Sequence, residues 1–359
     1  MGGADRPKGE SRLRHPRVGR GCGRLPLAPE APLVADPLPS TPRALLILGA
    51  FALLAAGAPL ASYTVSLALF GGAHVLTELR YVEARFGRGP LLRAPLLLGL
   101  GLGGVALLRA LKATGLWSDV TVPELLLVAL LSALALPTLR EAGPRALVVG
   151  LGVTGGLLVA LALDPIVLLF VLAAAHNWTP LGFLAEALPR PHRRRALGLG
   201  LIAFVALPLL LLTGLPGALV GGSPAAALSW PSAGPLSAQL GAYLPRAQHG
   251  ADWATAAFSA LTYAQLVHYA VVIGVLPRLA PGGPAAPSVI GLSRLSTHTF
   301  VGLVTLLSLV GAVGYALDFS QARLWYGVVA AVHAWIELPA LLVALAPALS
   351  RRAAAPAQS

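Results

Sequence analysis

From Arg43 onward, apolar runs near 20 residues long alternate with short segments carrying Gly, Pro, Arg and acidic residues. A run of that length crosses a hydrocarbon core of roughly 30 Å at about 1.5 Å per helical residue. Ten spans are expected, at about 44–58, 61–82, 94–113, 123–139, 146–163, 165–187, 196–215, 253–276, 297–317 and 324–348. The first is short, and the Gly57–Pro59 break behind it would let the first two form a re-entrant pair. The predicted fold class is therefore all-α, a polytopic transmembrane helix bundle with about ten spans and both termini cytoplasmic.

Composition agrees with the pattern. The 359-residue chain is 56% hydrophobic and 11% charged, with a mean hydropathy of +0.77, whereas soluble domains carry roughly a quarter charged residues. Residues 1–42 are rich in Arg, Pro and Gly without a hydrophobic period. They read as a disordered basic cytoplasmic tail rather than a signal peptide, since no apolar region follows the charges at the usual distance. The domain plan is thus a tail at 1–42, a transmembrane helical domain at 43–348 and a cytoplasmic C-terminal tail at 349–359.

A net charge of +12 raises the question of nucleic acid, and the distribution of charge answers it. With the N-terminus inside, all basic residues except Arg109, Lys112, Arg246 and Arg323 fall in inner segments, as the positive-inside rule requires. The outer turns carry Asp119, Glu124, Asp164, Asp252 and Asp318, and Trp117, Trp230, Trp253 and Trp325 fall at outer span ends as an interfacial belt. The positive charge is topological: the expected partner is the lipid bilayer and not nucleic acid, and the expected location is a bacterial inner (plasma) membrane. The one sizeable outer segment, 216–252, would either cover the outer face or serve as a slack connection. Cys22 is the only cysteine, which excludes an intrachain disulfide and a thiolate metal cluster.

Of eight histidines, His15, His192, His249 and His298 lie in loops or at a span edge. His74, His176, His268 and His333 sit well inside apolar runs, where polar groups are costly and face a bundle interior or cavity. All four are on even-numbered spans, which share one direction, roughly 10 to 16 residues from the outer end, or about 15–24 Å deep. Four parallel helices could therefore aim four imidazoles at one point. Imidazole suits Zn, Cu, Fe and Ni. A shared ion requires the ring nitrogens to converge within about 8 Å, because His–metal bonds are about 2 Å.

Glu78 and Glu337 follow His74 and His333 by four residues, which puts each pair on one helix face. Such a carboxylate could orient a ligating imidazole or bind the ion itself. Four neutral imidazoles with acidic groups fit Fe(2+) better than a structural zinc. Haem is the rival, but two bis-His haems would need two layers of histidines, and one would leave two histidines unused. Hydrogen bonding between helices is the plainer reading, with Glu78 paired to Arg80 or Arg85.

The segment Gly71-Gly72-Ala73-His74-Val75-Leu76-Thr77-Glu78 resembles the Gly-x-Pro-His-Gly-Ala-x-Asp segment of the Brp/Blh family of membrane β-carotene dioxygenases. Ala73, Val75 and Glu78 stand where that family has proline, glycine and aspartate. The resemblance carries over only His74 as a ligand, and implies a polytopic fold with an iron held by histidines that cleaves a carotenoid. The expected function is a non-haem iron oxygenase acting on a carotenoid or other apolar, membrane-dissolved isoprenoid. Trp178, Tyr269 and Trp335, next to three of the histidines, are expected to line its substrate cavity or simply to pack. Alternatives are a transporter or proton-coupled protein using the same His and Glu residues, a b-type haem protein, and a non-catalytic membrane protein.

Overall fold

The computed structural model describes residues 38–87, 94–220, 228–280 and 291–350. The expected tails lie almost wholly outside those residues. Among the described residues there is helix but no strand. The principal helices are α1 (Thr41–Gly57), α2 (Pro59–Phe86), α3 (Pro95–Ala113), α4 (Thr121–Ala142), α5 (Pro144–Leu163), α6 (Pro165–His176) and α7 (Thr179–Ala187). They continue with α8 (Arg190–Leu212), α9 (Ala254–Gly274), α10 (Thr297–Leu317) and α11 (Phe319–Ser350).

Each expected span coincides with helix, but among the described residues eight rather than ten helices are individually long and apolar enough to cross a bilayer. Two departures explain the difference. The 17 residues of α1 extend only about 25 Å at helical rise, short of the hydrocarbon core. The expected span 165–187 is two helices, α6 and α7, bent by 41°. Pro180 causes the break: without an N–H it leaves the carbonyl of His176 unpaired. The Thr179 hydroxyl donates to that carbonyl at 2.7 Å instead, a substitution that makes a broken helix tolerable at membrane depth.

Local sequence sets the other ends. Pro59, Pro95, Pro144 and Pro165 open α2, α3, α5 and α6, where a missing N–H costs nothing because the first turn has no acceptor for it. Asp164 caps α6, its Oδ1 accepting from the backbone N–H groups of Ile166 and Val167 at 3.0 and 2.9 Å. The Ser296 Oγ caps α10 through the Thr299 N–H at 3.1 Å.

Burial separates inner from outer helices. The apolar stretches of α2, α9 and α11 are 56%, 67% and 50% buried, against 17% for α5 and 11% for α10. The outer helices present side chains such as Leu158, Val159, Leu309 and Val313 to the surroundings, a surface that belongs against lipid rather than water. The chain is a multi-pass helical membrane protein. Its three inner helices carry His74, His268 and His333.

Residues 228–250 are not a slack connection. The Trp230 N–H donates to the Thr64 hydroxyl at 2.9 Å, and the Ser232 hydroxyl donates to the Tyr315 carbonyl at 2.9 Å. Ala233, Leu240 and Leu244 pack with Tyr63, Phe258 and Phe319. This segment covers one end of the inner helices, and its Gly241, Ala242 and Tyr243 form part of a cavity wall.

Candidate metal centre

Four imidazoles meet in the bundle interior. One ring nitrogen from each of His74, His176, His268 and His333 lies within 4.8 Å of the others, well inside the separation a shared ion demands. The Nε2 of His333 stands 3.1 Å from Nε2 of His74 and 3.1 Å from Nε2 of His176. Each such nitrogen has either one proton or one lone pair, so three of them meeting at one point do not form a satisfied hydrogen-bond network. Ligand atoms around an ion with bonds of 2.0–2.1 Å are separated by about 3.0 Å at right angles and about 3.3 Å at tetrahedral angles. The observed spacing matches that range.

Two carboxylates complete the cluster. Glu78 and Glu337 are 1% and 0% exposed, and suitably placed oxygens of both lie within 4.8 Å of each other and of a His333 nitrogen. Each carboxylate also approaches a ring from a neighbouring helix. Glu337 faces His176, with Oε2 2.7 Å from Nδ1, and Glu78 faces His268, with Oε2 3.5 Å from Nε2. Helical side chains lean toward the N-terminus. Because every side chain of a helix shares that lean, each glutamate stays one turn beyond its own helix's histidine and within reach of a ring from a neighbouring helix.

The plainer reading of Glu78 is overturned. Arg85 is paired with Glu186, and Arg80 donates to the Leu295 carbonyl at 2.9 Å and lies over the Phe300 ring. Among the described residues no Lys or Arg is ion-paired with Glu78 or Glu337. Neither oxygen of Glu78, neither ring nitrogen of His268 and not the Oε1 of Glu337 has a hydrogen-bond partner. Buried polar groups are ordinarily paired, and buried charges are paired or coordinate metals. This donor set of four imidazoles and two carboxylates could hold a metal ion.

Four of the ring pairs stand too close to flank a macrocycle. Their centroids are 5.3 Å apart for His74 and His268, 4.8 Å for His74 and His333, 4.6 Å for His176 and His268, and 4.7 Å for His176 and His333. A bis-His haem would have to separate two of them by the thickness of the porphyrin and two axial bonds.

A cavity of about 580 Å³ reaches His74, His176 and His333. Tyr269 and Trp335 are among the residues that line it. Tyr269 also stacks on the His74 ring at 4.0 Å between centroids, which fixes that imidazole's plane. The Trp335 Nε1–H donates to Glu124 Oε1 at 2.7 Å. Trp178 does not line the cavity: it is 51% exposed, because the break after His176 carries it off the inward face of α6.

Sequence reasoning left Glu124 and Arg109 as outer-turn charges, yet they meet beside Trp335. Glu124 is 1% exposed, and both its oxygens face the Arg109 guanidinium, at 2.8 and 2.7 Å. The signal was available, since both residues fall near the same membrane face in helices joined by a short turn. At the cavity's other end stand Lys112, Asp119 and Arg323. The Thr121 backbone N–H, 3.0 Å from Asp119 Oδ1, and its hydroxyl hold the Asp119 carboxyl below the usual range, with Lys112 adding to the effect.

The chain matches no family model, no curated protein and no solved structure.

Proposed function

We propose that this protein is a membrane metalloenzyme, a non-haem iron oxygenase acting on an apolar molecule drawn from the bilayer. The observation that carries the reading is the convergence of four imidazoles and two buried carboxylates, with no Lys or Arg paired to either, beside a cavity. A divalent ion there offsets the charge of Glu78 and Glu337, which otherwise lie buried without a cation. The nitrogen-rich, thiolate-free set suits iron among the redox metals, and iron supplies the one-electron chemistry that dioxygen requires.

The chain's own residues have definable tasks. Glu337 accepts the Nδ1–H of His176, which leaves Nε2 free to face the centre and makes it a better donor. Tyr269 holds the His74 ring by stacking. The wall of the cavity excludes water and positions an apolar chain against the open side of the cluster. The resemblance at Gly71–Glu78 to the carotenoid-cleaving family supports a carotenoid or other isoprenoid as substrate.

Metal analysis of the detergent-purified protein tests this directly. Stoichiometric iron that is lost in His268→Ala and retained in His298→Ala is the expected result, with no Soret absorption. A stable, monodisperse protein that takes up no metal from anaerobic Fe(II) would overturn it.

A further inference from the structure

The charge bias leaves four basic residues on the outer side, and three of them, Arg109, Lys112 and Arg323, line this one cavity. Arg246, in a short turn of the covering segment, does not. Their partners differ. Arg109 is committed to Glu124, and Lys112 shares the cavity lining with Asp119, whose carboxylate its charge favours. Arg323 donates to a neutral amide, the Oε1 of Gln239, at 2.9 Å. Gln239 is itself 1% exposed, and its Nε2–H donates to the Ala233 carbonyl, which turns its oxygen toward the guanidinium. Among the described residues Arg323 is ion-paired with no carboxylate. The mouth therefore has three cations against two carboxylates, and the excess charge is held in a fixed position.

The face of α11 that runs inward from Arg323 along the cavity is lined by small residues. Gly327, Ala330, Ala331 and Ala334 line the cavity from α11, following Arg323 at the spacing of one helix face, and Leu169 and Phe170 line it from α6. His333, ten residues beyond Arg323, marks its buried end. At helical rise that is about 15 Å, a length that a chain-like molecule spans and a compact one does not.

We propose that Arg323, assisted by Lys112, binds the anionic head, a carboxylate or phosphate, of a chain-like amphiphile whose apolar body lies along α11 and reaches the histidines. It rests on the proposed function only for what happens at the buried end, and it narrows the substrate from a wholly apolar isoprenoid such as a carotenoid to a chain that carries an anionic head. The fixed distance from guanidinium to imidazoles then sets which carbon along the chain is presented to the centre.

The test uses the full-length protein in detergent and a radiolabelled long-chain fatty acid as probe. Unlabelled acid, its methyl ester and inorganic phosphate serve as competitors. The acid should compete about tenfold better than the ester, and Arg323→Gln should weaken the acid by about tenfold while leaving the ester unchanged. Arg246→Gln should change neither, and Lys112→Gln gives a second, smaller loss if Arg323→Gln does not fold. Equal competition by acid and ester, or equal weakening of both by Arg323→Gln, overturns the proposal. Displacement of the probe by inorganic phosphate as readily as by the acid also overturns it, because the site would then take a free anion and not a headgroup. Iron measured on the same samples separates the two proposals: selectivity for the acid without iron refutes the oxygenase alone, and iron without selectivity refutes the headgroup site alone.

Discussion

Replacing Glu337 by Gln keeps its volume and removes its charge, and the structure fixes opposite signs for the effect with and without metal. The carboxylate is 0% exposed, with the His176 imidazole at 2.7 Å and a Glu78 oxygen nearby, and no Lys or Arg beside it. In the metal-free protein, Gln relieves the cost of a buried charge that no Lys or Arg offsets. The melting temperature of the chelated protein should therefore stay constant or rise. In the metal-loaded protein the same change removes the acceptor that orients His176. Losing such a partner weakens metal affinity by about 10–100-fold, which corresponds to about 1.4–2.8 kcal/mol. At a fixed excess of metal that amount disappears from the stabilisation conferred by binding. The assay is a pair of thermal melts in detergent, one after chelation and one with anaerobic Fe(II), together with a competition titration for affinity. Equal falls in both melts would mean that Glu337 only packs, and an unchanged affinity would refute its role in orienting a ligand.

Trp335→Phe removes the indole N–H that donates to Glu124 at 2.7 Å; a hydrogen bond to a buried carboxylate predicts a loss of about 1.5–3 kcal/mol, read by denaturation in detergent. Asp164→Ala leaves the Ile166 and Val167 N–H groups uncapped and should cost about 0.5–2 kcal/mol, with faster amide exchange confined to the start of α6. Gly71→Ala and Gly72→Ala form a matched pair. At Gly71 a Cβ would stand 3.1 Å from the Tyr326 ring, whereas at Gly72 its nearest neighbour is the Ser308 Oγ at 3.9 Å. Gly72→Ala should stabilise by about 0.5–1 kcal/mol, and melts showing the same gain at Gly71 would contradict the packing described for Tyr326.

The depth of each histidine was legible because helical rise converts residue number directly into distance along the membrane normal. That relation brings His74, His268 and His333 to one level from three separate helices. It carries no information about lateral partners, so the i,i+4 spacing of Glu78 and Glu337 did not say which rings of neighbouring helices they would meet. The actual pairs, His176 with Glu337 and His268 with Glu78, depend on which helices adjoin. Pro180 was visible in the sequence, but its consequence for Trp178 depended on the direction in which the chain bends. Arg323 and Lys112 illustrate the opposite limit. A rule that counts charges per side treats them as exceptions, and only their placement around one cavity gives them a common purpose.

The break between α6 and α7 makes the four supports of the cluster mechanically unequal. His74 and His268 are borne by helices without an internal proline, and His333 by one that continues as helix through Pro339, so moving any of these rings drags many residues along. His176 ends its helix, and a side-chain hydroxyl stands in for the amide that would have continued it. The assembly is thus three stiff posts and one compliant one. Small differences in ionic radius, and the strain of filling or emptying the centre, should be taken up chiefly by displacement of His176, while the other three keep their registry.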